Sequence, residues 1–219
     1  MYRYFIQPII NKFSGSVLGY ELLIRKLIDG QWQLPQSFSA IPQEVQTNLL
    51  VTIAQKLSRK ISFVSFNVNW AQFLSPEFSQ LLIETQQKIS PVTLVLEIIK
   101  EPVQTNFSTT EIIQQMNYFN QHGVLIALDD VDTGCNLYPE VQAFLPYVFE
   151  IKFPCQNFRQ AGRQTEIKTA LQKWQQIAAN NNLNLIVEGV ETSADDQLLD
   201  ELAISYRQGY YYGKPRLFQ

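Results

Sequence analysis

Cysteine and histidine are nearly missing from this chain of 219 residues, which has two cysteines, Cys135 and Cys155, and one histidine, His122. Two cysteines build neither a disulfide framework nor a cysteine-based zinc site. His122 precedes Gly123 at a predicted helix end, where a cation suits the helix dipole, and it is given no catalytic role. Lysine and arginine form no long run, and the net charge is −3 with an isoelectric point near 5.3. That balance excludes a protein gripping long nucleic acid through backbone charge, and leaves room for a small phosphate ligand held by metals. No apolar run approaches the roughly 20 residues of a membrane span. The start, Met1-Tyr2-Arg3-Tyr4, has neither the basic nor the apolar region of a signal peptide. These absences predict a cytoplasmic protein without membrane attachment. No repeat, low-complexity stretch or linker interrupts residues 1–219, which read as a single domain.

Hydrophobic residues make up 46% and charged residues 17%, an ordinary globular balance. Short apolar runs alternate with longer amphipathic ones. Strands are expected at Phe5–Ile9, Val17–Ile24, Phe63–Asn67, Val92–Ile98, Val124–Leu128, Val148–Lys152 and Leu183–Val187, with Tyr210–Tyr212 as a weaker eighth. Helices are expected over Pro42–Lys60, with Val45, Leu49, Ile53 and Leu57 on one stripe, and from Ser75-Pro76-Glu77 to about Gln87. Ser108-Thr109-Thr110-Glu111 matches a capping box and Gly123 a stop. Further helices are expected over Arg163–Asn181 and from Ser193 to about Leu202. Eight strands with helices from the third onward predict an α/β fold, a modified TIM-like (β/α)8 barrel. Asn11–Ser16 is too short for a crossover helix, so the first two strands are expected to be antiparallel.

The informative residues stand at the strand ends. Glu21 lies within the second strand, Asn67 ends the third and Glu97 is near the end of the fourth. Asp129 and Asp130 follow the fifth, Lys152 closes the sixth, Glu188 closes the seventh, and Gln208 precedes the expected eighth. In a β/α barrel those ends converge on one mouth. So many carboxylates cannot stay ionised together uncompensated. A pair of Mg²⁺ or Mn²⁺ ions resolves this, since hard cations take oxygen ligands. Two such ions can activate water for displacement at phosphorus, so the residues point to metal-assisted hydrolysis of a phosphate ester.

Gly19-Tyr20-Glu21-Leu22-Leu23-Ile24-Arg25 resembles the signature of the EAL domain family. Gln7-Pro8-Ile9, Phe66-Asn67-Val68-Asn69, Leu94-Val95-Leu96-Glu97-Ile98 and Ala127-Leu128-Asp129-Asp130 are similar to further family motifs. Glu150-Ile151-Lys152, Glu188-Gly189-Val190-Glu191-Thr192 and Gln208-Gly209-Tyr210 complete the series in family order, from about Gln7 to Pro215. The resemblance implies a phosphodiesterase that linearises cyclic di-GMP to pGpG. It implies that Glu21, Asn67, Glu97 and Asp129 ligate one metal and that Asp129, Asp130 and Glu188 serve a second. Lys152 would orient or deprotonate the attacking water, Gln208 would support the site, and Glu191 would fix loop geometry. Arg25, Leu23 and Gln7 would contact the nucleotide, Arg25 as a phosphate partner. A homodimer is the implied assembly.

The chain departs from the family pattern at a few points. Leu22 replaces a small Ala and is expected to cost space beside Glu21. Lys100 stands where the family has a bracing Glu, with Glu101 one residue later. Val131-Asp132 replace a Phe-Gly pair in the loop that retains Thr133-Gly134, and Pro154 occupies the place of an Asp. All of these lie outside the expected metal-ligand set. They motivate a second reading, a cyclic di-GMP receptor or interaction module without turnover.

Overall fold

A computed structural model describes residues 1–38, 40–58, 60–98, 107–134 and 136–218. The expectations for Lys100, Glu101 and Cys135 fall outside those residues. Among the described residues the strands are β1 (Tyr2–Asn11), β2 (Ser16–Ile28), β3 (Gln31–Gln33), β4 (Phe63–Val68), β5 (Thr93–Ile98), β6 (Leu125–Leu128), β7 (Glu150–Pro154), β8 (Asn184–Glu188), β9 (Tyr206–Arg207) and β10 (Arg216–Leu217). The helices are α1 (Gln43–Leu57), α2 (Trp70–Phe73), α3 (Pro76–Ile89), α4 (Thr109–Gln121), α5 (Tyr138–Val141), α6 (Cys155–Gln160), α7 (Ile167–Asn181) and α8 (Ser193–Glu201).

Eight strands close into a barrel in the order β1, β2, β4, β5, β6, β7, β8, β9, and β9 pairs back to β1. From β2 through β9 every neighbouring pair is parallel. β1 runs antiparallel to both β2 and β9, as the short Asn11–Ser16 connection requires. β3 and β10 extend the sheet outside the barrel.

The local signals behave as their chemistry dictates. Ser75 caps α3, with its hydroxyl accepting from the Phe78 N–H and Pro76 next in line. Ser108 and Glu111 form the capping box of α4, and Gly123 follows that helix at φ +75°. Thr192 caps α8. Two expectations need correction. The eighth barrel strand is Tyr206–Arg207, because Tyr210–Tyr212 forms a turn folded onto Val190 through the Tyr211 N–H. Gln208 therefore follows its strand, as Asp129 and Asp130 follow β6. The buried stripe of α1 runs through Gln46, Leu50, Ile53 and Leu57, while Val45 and Leu49 are half-buried. A strict four-residue repeat drifts around a helix of 3.6 residues per turn.

Two apolar layers hold the barrel. The larger fills the space between strands and helices, with Phe66, Phe73, Phe78, Phe119, Phe153 and Trp174. The smaller plugs the barrel interior with Ile9, Phe63, Val95, Ala127 and Ile186. Strand alternation puts these plug residues on the same face as Gln7, Asn67, Glu97 and Glu188, so the polar groups stand on an apolar floor. The same alternation turns Leu22 away from Glu21 and into the outer layer. Its extra bulk therefore packs on the opposite face of the strand from the carboxylate, while Leu22 also lines the apolar cavity that Glu21 borders.

Gly19 pairs with Phe63 where β2 meets β4. A Cβ there would lie 2.4 Å from the Phe63 carbonyl oxygen and 2.8 Å from its ring. Gly19→Ala is expected to cost about 2–3 kcal/mol of stability, measured by urea unfolding. A variant as stable as the parent would show that the β2–β4 approach is not close enough to demand glycine.

Candidate active site

Lys152 is the centre of the site. It is fully buried, with its ammonium 2.6 Å from Glu188, 2.8 Å from Glu97, 3.8 Å from Glu21 and 3.9 Å from Asp129. Burial pulls its pKa down, but the four carboxylates more than reverse this, and it lies well above the ordinary value. Burial pushes Glu97, Glu188 and Asp129 upward, while Lys152 pulls against it. Asp130 is raised to about 6, by burial first and then by Asp129, against the pull of Lys152 and of a hydrogen bond from Asn157.

The amides arrange the rest. Asn67 Nδ2 donates to Glu21 Oε1 at 2.9 Å, which leaves its carbonyl oxygen free of that bond. Gln208 Nε2 donates to the other Glu21 oxygen at 2.5 Å and to Gln7 Oε1 at 3.4 Å. Gln7 in turn donates to the Gly213 carbonyl. Asn136 Nδ2 donates to the Asp129 carbonyl, and the Val131 N–H donates to the Lys152 carbonyl. Asp130 and Asp132 sit at φ +52° and +64°, left-handed positions that Asp adopts more readily than most residues. Val131 turns into the core, fully buried. The altered loop thus keeps a turned-over backbone without the expected glycine.

Two cavities meet at Glu21. The polar one, about 370 Å³, is lined by Gln7, Glu21, Asp129, Asp130, Glu188, Glu191 and Gln208, with the α6 amides Gln156, Asn157 and Gln160 opposite. The apolar one, about 260 Å³, takes in Leu23, Arg25 and Asn67 with Tyr4, Leu34, Phe38 and Phe66. Arg25 is half-buried there, its pKa lowered by burial against the pull of Glu21 and Tyr210. Glu97 and Lys152 are fully buried among the same carboxylates. Glu191 is the outlier, an exposed carboxylate 3.7 Å from Arg159.

Oxygen donors dominate the donor set. Asp129, Asp130 and Glu188 each offer an oxygen within 4.8 Å of the others. Glu97 Oε2 is buried without a hydrogen-bond partner. Glu21, Glu97, Asp129, Asp130 and Glu188 surround one buried ammonium, so negative charge exceeds positive. A hard divalent cation fits this set, and a soft one does not, because no sulfur or imidazole ligand faces it among the described residues. Cys155 is buried and its thiol is pushed up to about 12, chiefly by burial, which makes it inert.

Residues 2–215 match the family model described as EAL domain. The chain belongs to the EAL domain family. Among its relatives, the cyclic di-GMP phosphodiesterase PdeL of Escherichia coli is 26% identical over 98% of this chain and 62% of PdeL. The cyclic di-GMP phosphodiesterase CdgJ of Vibrio cholerae is 26% identical over 97% of this chain and 44% of CdgJ. The chain thus spans roughly half the length of such relatives. Its barrel is also that of an EAL domain protein from Listeria monocytogenes, with a TM-score of 0.75 at 19% identity, covering 98% of this chain and 88% of that one. Bacillus subtilis YkuI, solved with an EAL domain in complex with substrate c-di-GMP and calcium, gives a TM-score of 0.74 at 21% identity. That match covers 100% of this chain and 56% of YkuI. No helix among the described residues of this EAL domain is long and apolar enough to cross a membrane.

Sequence reasoning passed over Gln156 and Asn157, which lie off the strand ends where it searched. It also read Glu150 only as part of a motif. Glu150 shares the barrel interior with Lys152, almost fully buried, with one oxygen lacking a partner. Burial raises its carboxyl to about 7, with Lys152 lowering it and Asp129 raising it. The unfolded chain ionises near 4.5 while the folded protein holds the proton to about 7, so stability falls as pH rises through that window. The loss amounts to about 3 kcal/mol in full. Glu150→Gln is expected to match the parent near pH 4.5 and to be more stable at pH 8 by up to that amount. Denaturant titrations at both pH values check this, and the same difference at each would refute it.

Proposed function

We propose that this EAL domain is a phosphodiesterase that hydrolyses cyclic di-GMP to linear pGpG with two divalent ions, Mg²⁺ or Mn²⁺. The observation that carries this reading is the gathering of Glu21, Glu97, Asp129, Asp130 and Glu188 around one buried lysine at the barrel mouth. Glu21, Asn67, Glu97 and Asp129 would hold one ion, and Asp129, Asp130 and Glu188 the other. Such ions, when bound, lower the pKa of a water and neutralise charge developing at phosphorus.

The chain's own residues do the rest. Lys152, kept charged by its carboxylates, orients the attacking water rather than taking its proton. Gln208 fixes the Glu21 carboxylate from one side and Asn67 from the other. Arg25 supplies a guanidinium for a phosphate or base edge in the apolar cavity, beside Leu23, while Gln7 faces the nucleotide from the polar cavity. Glu191 braces the loop after β8 through Arg159, whose guanidinium also donates to the Gly189 carbonyl. The product is released once the phosphodiester P–O bond to one ribose has been replaced by a P–O bond from water. On this reading residues 1–219 form one catalytic domain that works as a cytoplasmic homodimer, with exposed Leu137 and Tyr138 beside the altered loop available as a shared face.

A second reading, a receptor that binds cyclic di-GMP without turnover, draws on Pro154, which ends β7 without a carboxylate. Incubation with cyclic di-GMP and Mn²⁺, with pGpG followed by chromatography, separates the two. Product that EDTA abolishes and Mn²⁺ restores is the expected result. Calorimetric binding of the nucleotide without product would give the receptor.

Glu21→Gln and Glu188→Gln are each expected to lower turnover by more than ~100-fold, beyond the usual cost of losing an outer supporting residue, with the fold retained by circular dichroism. Unchanged turnover in both would end the two-metal assignment.

A further inference from the structure

Helix α6 starts directly after the strand that carries Lys152, and its residues Gln156, Asn157 and Gln160 line the polar cavity together with the carboxylates. Asn157 makes the most specific contact of the three. Its Nδ2 donates to Asp130 Oδ1 at 2.8 Å and lies 3.5 Å from Thr133 Oγ1. Its side chain caps no helix end.

Asp130 needs such a partner. Its backbone sits at φ +52°, a left-handed conformation that residues other than glycine rarely adopt. The Thr133 N–H and hydroxyl hold the Asp130 carbonyl oxygen there. Those bonds fix the backbone and leave the carboxylate to find its own direction. Among the described residues, Asn157 is the hydrogen-bond donor to that carboxylate. Asp129 and Glu188 have Lys152 beside them instead.

The chemical type of the donor matters. A lysine or arginine at this place would orient Asp130 and also cancel its charge, weakening its hold on a cation. An amide orients without neutralising, and occupying Oδ1 leaves Oδ2 free. We propose that Asn157 is a positioning residue for Asp130, a neutral donor that turns the carboxylate so that it joins Asp129 and Glu188 in one cation site. This rests on the two-metal reading above.

The test is Mn²⁺ binding by the full chain without nucleotide, followed by loss of the electron paramagnetic signal of free Mn²⁺. Asn157→Ala and Asn157→Leu both remove the donor, but one opens space and the other fills it. Both are expected to weaken one Mn²⁺ site about 10–100-fold, the usual cost of losing an outer-shell partner, and to the same extent. Parental Mn²⁺ affinity in either variant, with the protein folded by circular dichroism, would overturn the role. Unequal losses that track side-chain volume would assign Asn157 to packing and overturn it as well. If the parent chain binds no Mn²⁺, the two-metal reading falls first, and this role falls with it.

Discussion

Negative charge crowded around Lys152 is the constraint on which the rest of the structure depends. Glu21, Glu97, Asp129 and Glu188 stand between 2.6 and 3.9 Å from one fully buried ammonium. Removing charge from water costs several kcal/mol per ion, and mutual attraction repays this only when geometry is good. A flexible chain would let these carboxylates drift apart. The closed barrel prevents it, because each sits on or beside a different strand and the strands are bonded to one another all the way round. The apolar plug below and the filled layer outside keep that cylinder from collapsing or spreading.

Charge excess at the mouth is also what links the fold to chemistry. An arrangement built for stability would balance its ions, whereas this one leaves oxygens over, most plainly at Glu97 Oε2. The amides add direction without adding charge. Asn67 and Gln208 hold the two oxygens of Glu21, and Asn157 holds one oxygen of Asp130. Such neutral supports orient the carboxylates without cancelling their charge. The apolar cavity beyond Glu21, with Arg25 at its side, adjoins the polar one that the carboxylates line.

The loop after β6 departs from the family pattern and makes its left-handed turn with aspartates. Losing a glycine would ordinarily forbid a left-handed turn, yet Asp130 and Asp132 take that conformation themselves. Asn136 and Lys152 backbone contacts pin the turn, and Val131 fills the core. Pro154 removes a carboxylate at the end of β7, and an amide one turn later on α6 faces the same aspartate pair.

Much of this was legible in the amino-acid order. Alternation of short apolar runs with amphipathic stretches determined the barrel, the brief Asn11–Ser16 connection determined the reversed first strand, and the capping residues Ser75 and Ser108 determined where helices begin. Strand-end position picked out the carboxylates and Lys152, because parallel strands must end on one face. Tertiary structure alone decided the rest. Only the closed barrel showed which face of β2 is inward, and so that Leu22 joins the outer layer. Tyr206–Arg207, too short and polar to read as a strand, became one because β8 and β1 offered hydrogen bonds on either side. Asn157 gained a partner 27 residues away in sequence, a pairing that no local pattern encodes because it arises from the packing of helix α6 against the loop after β6.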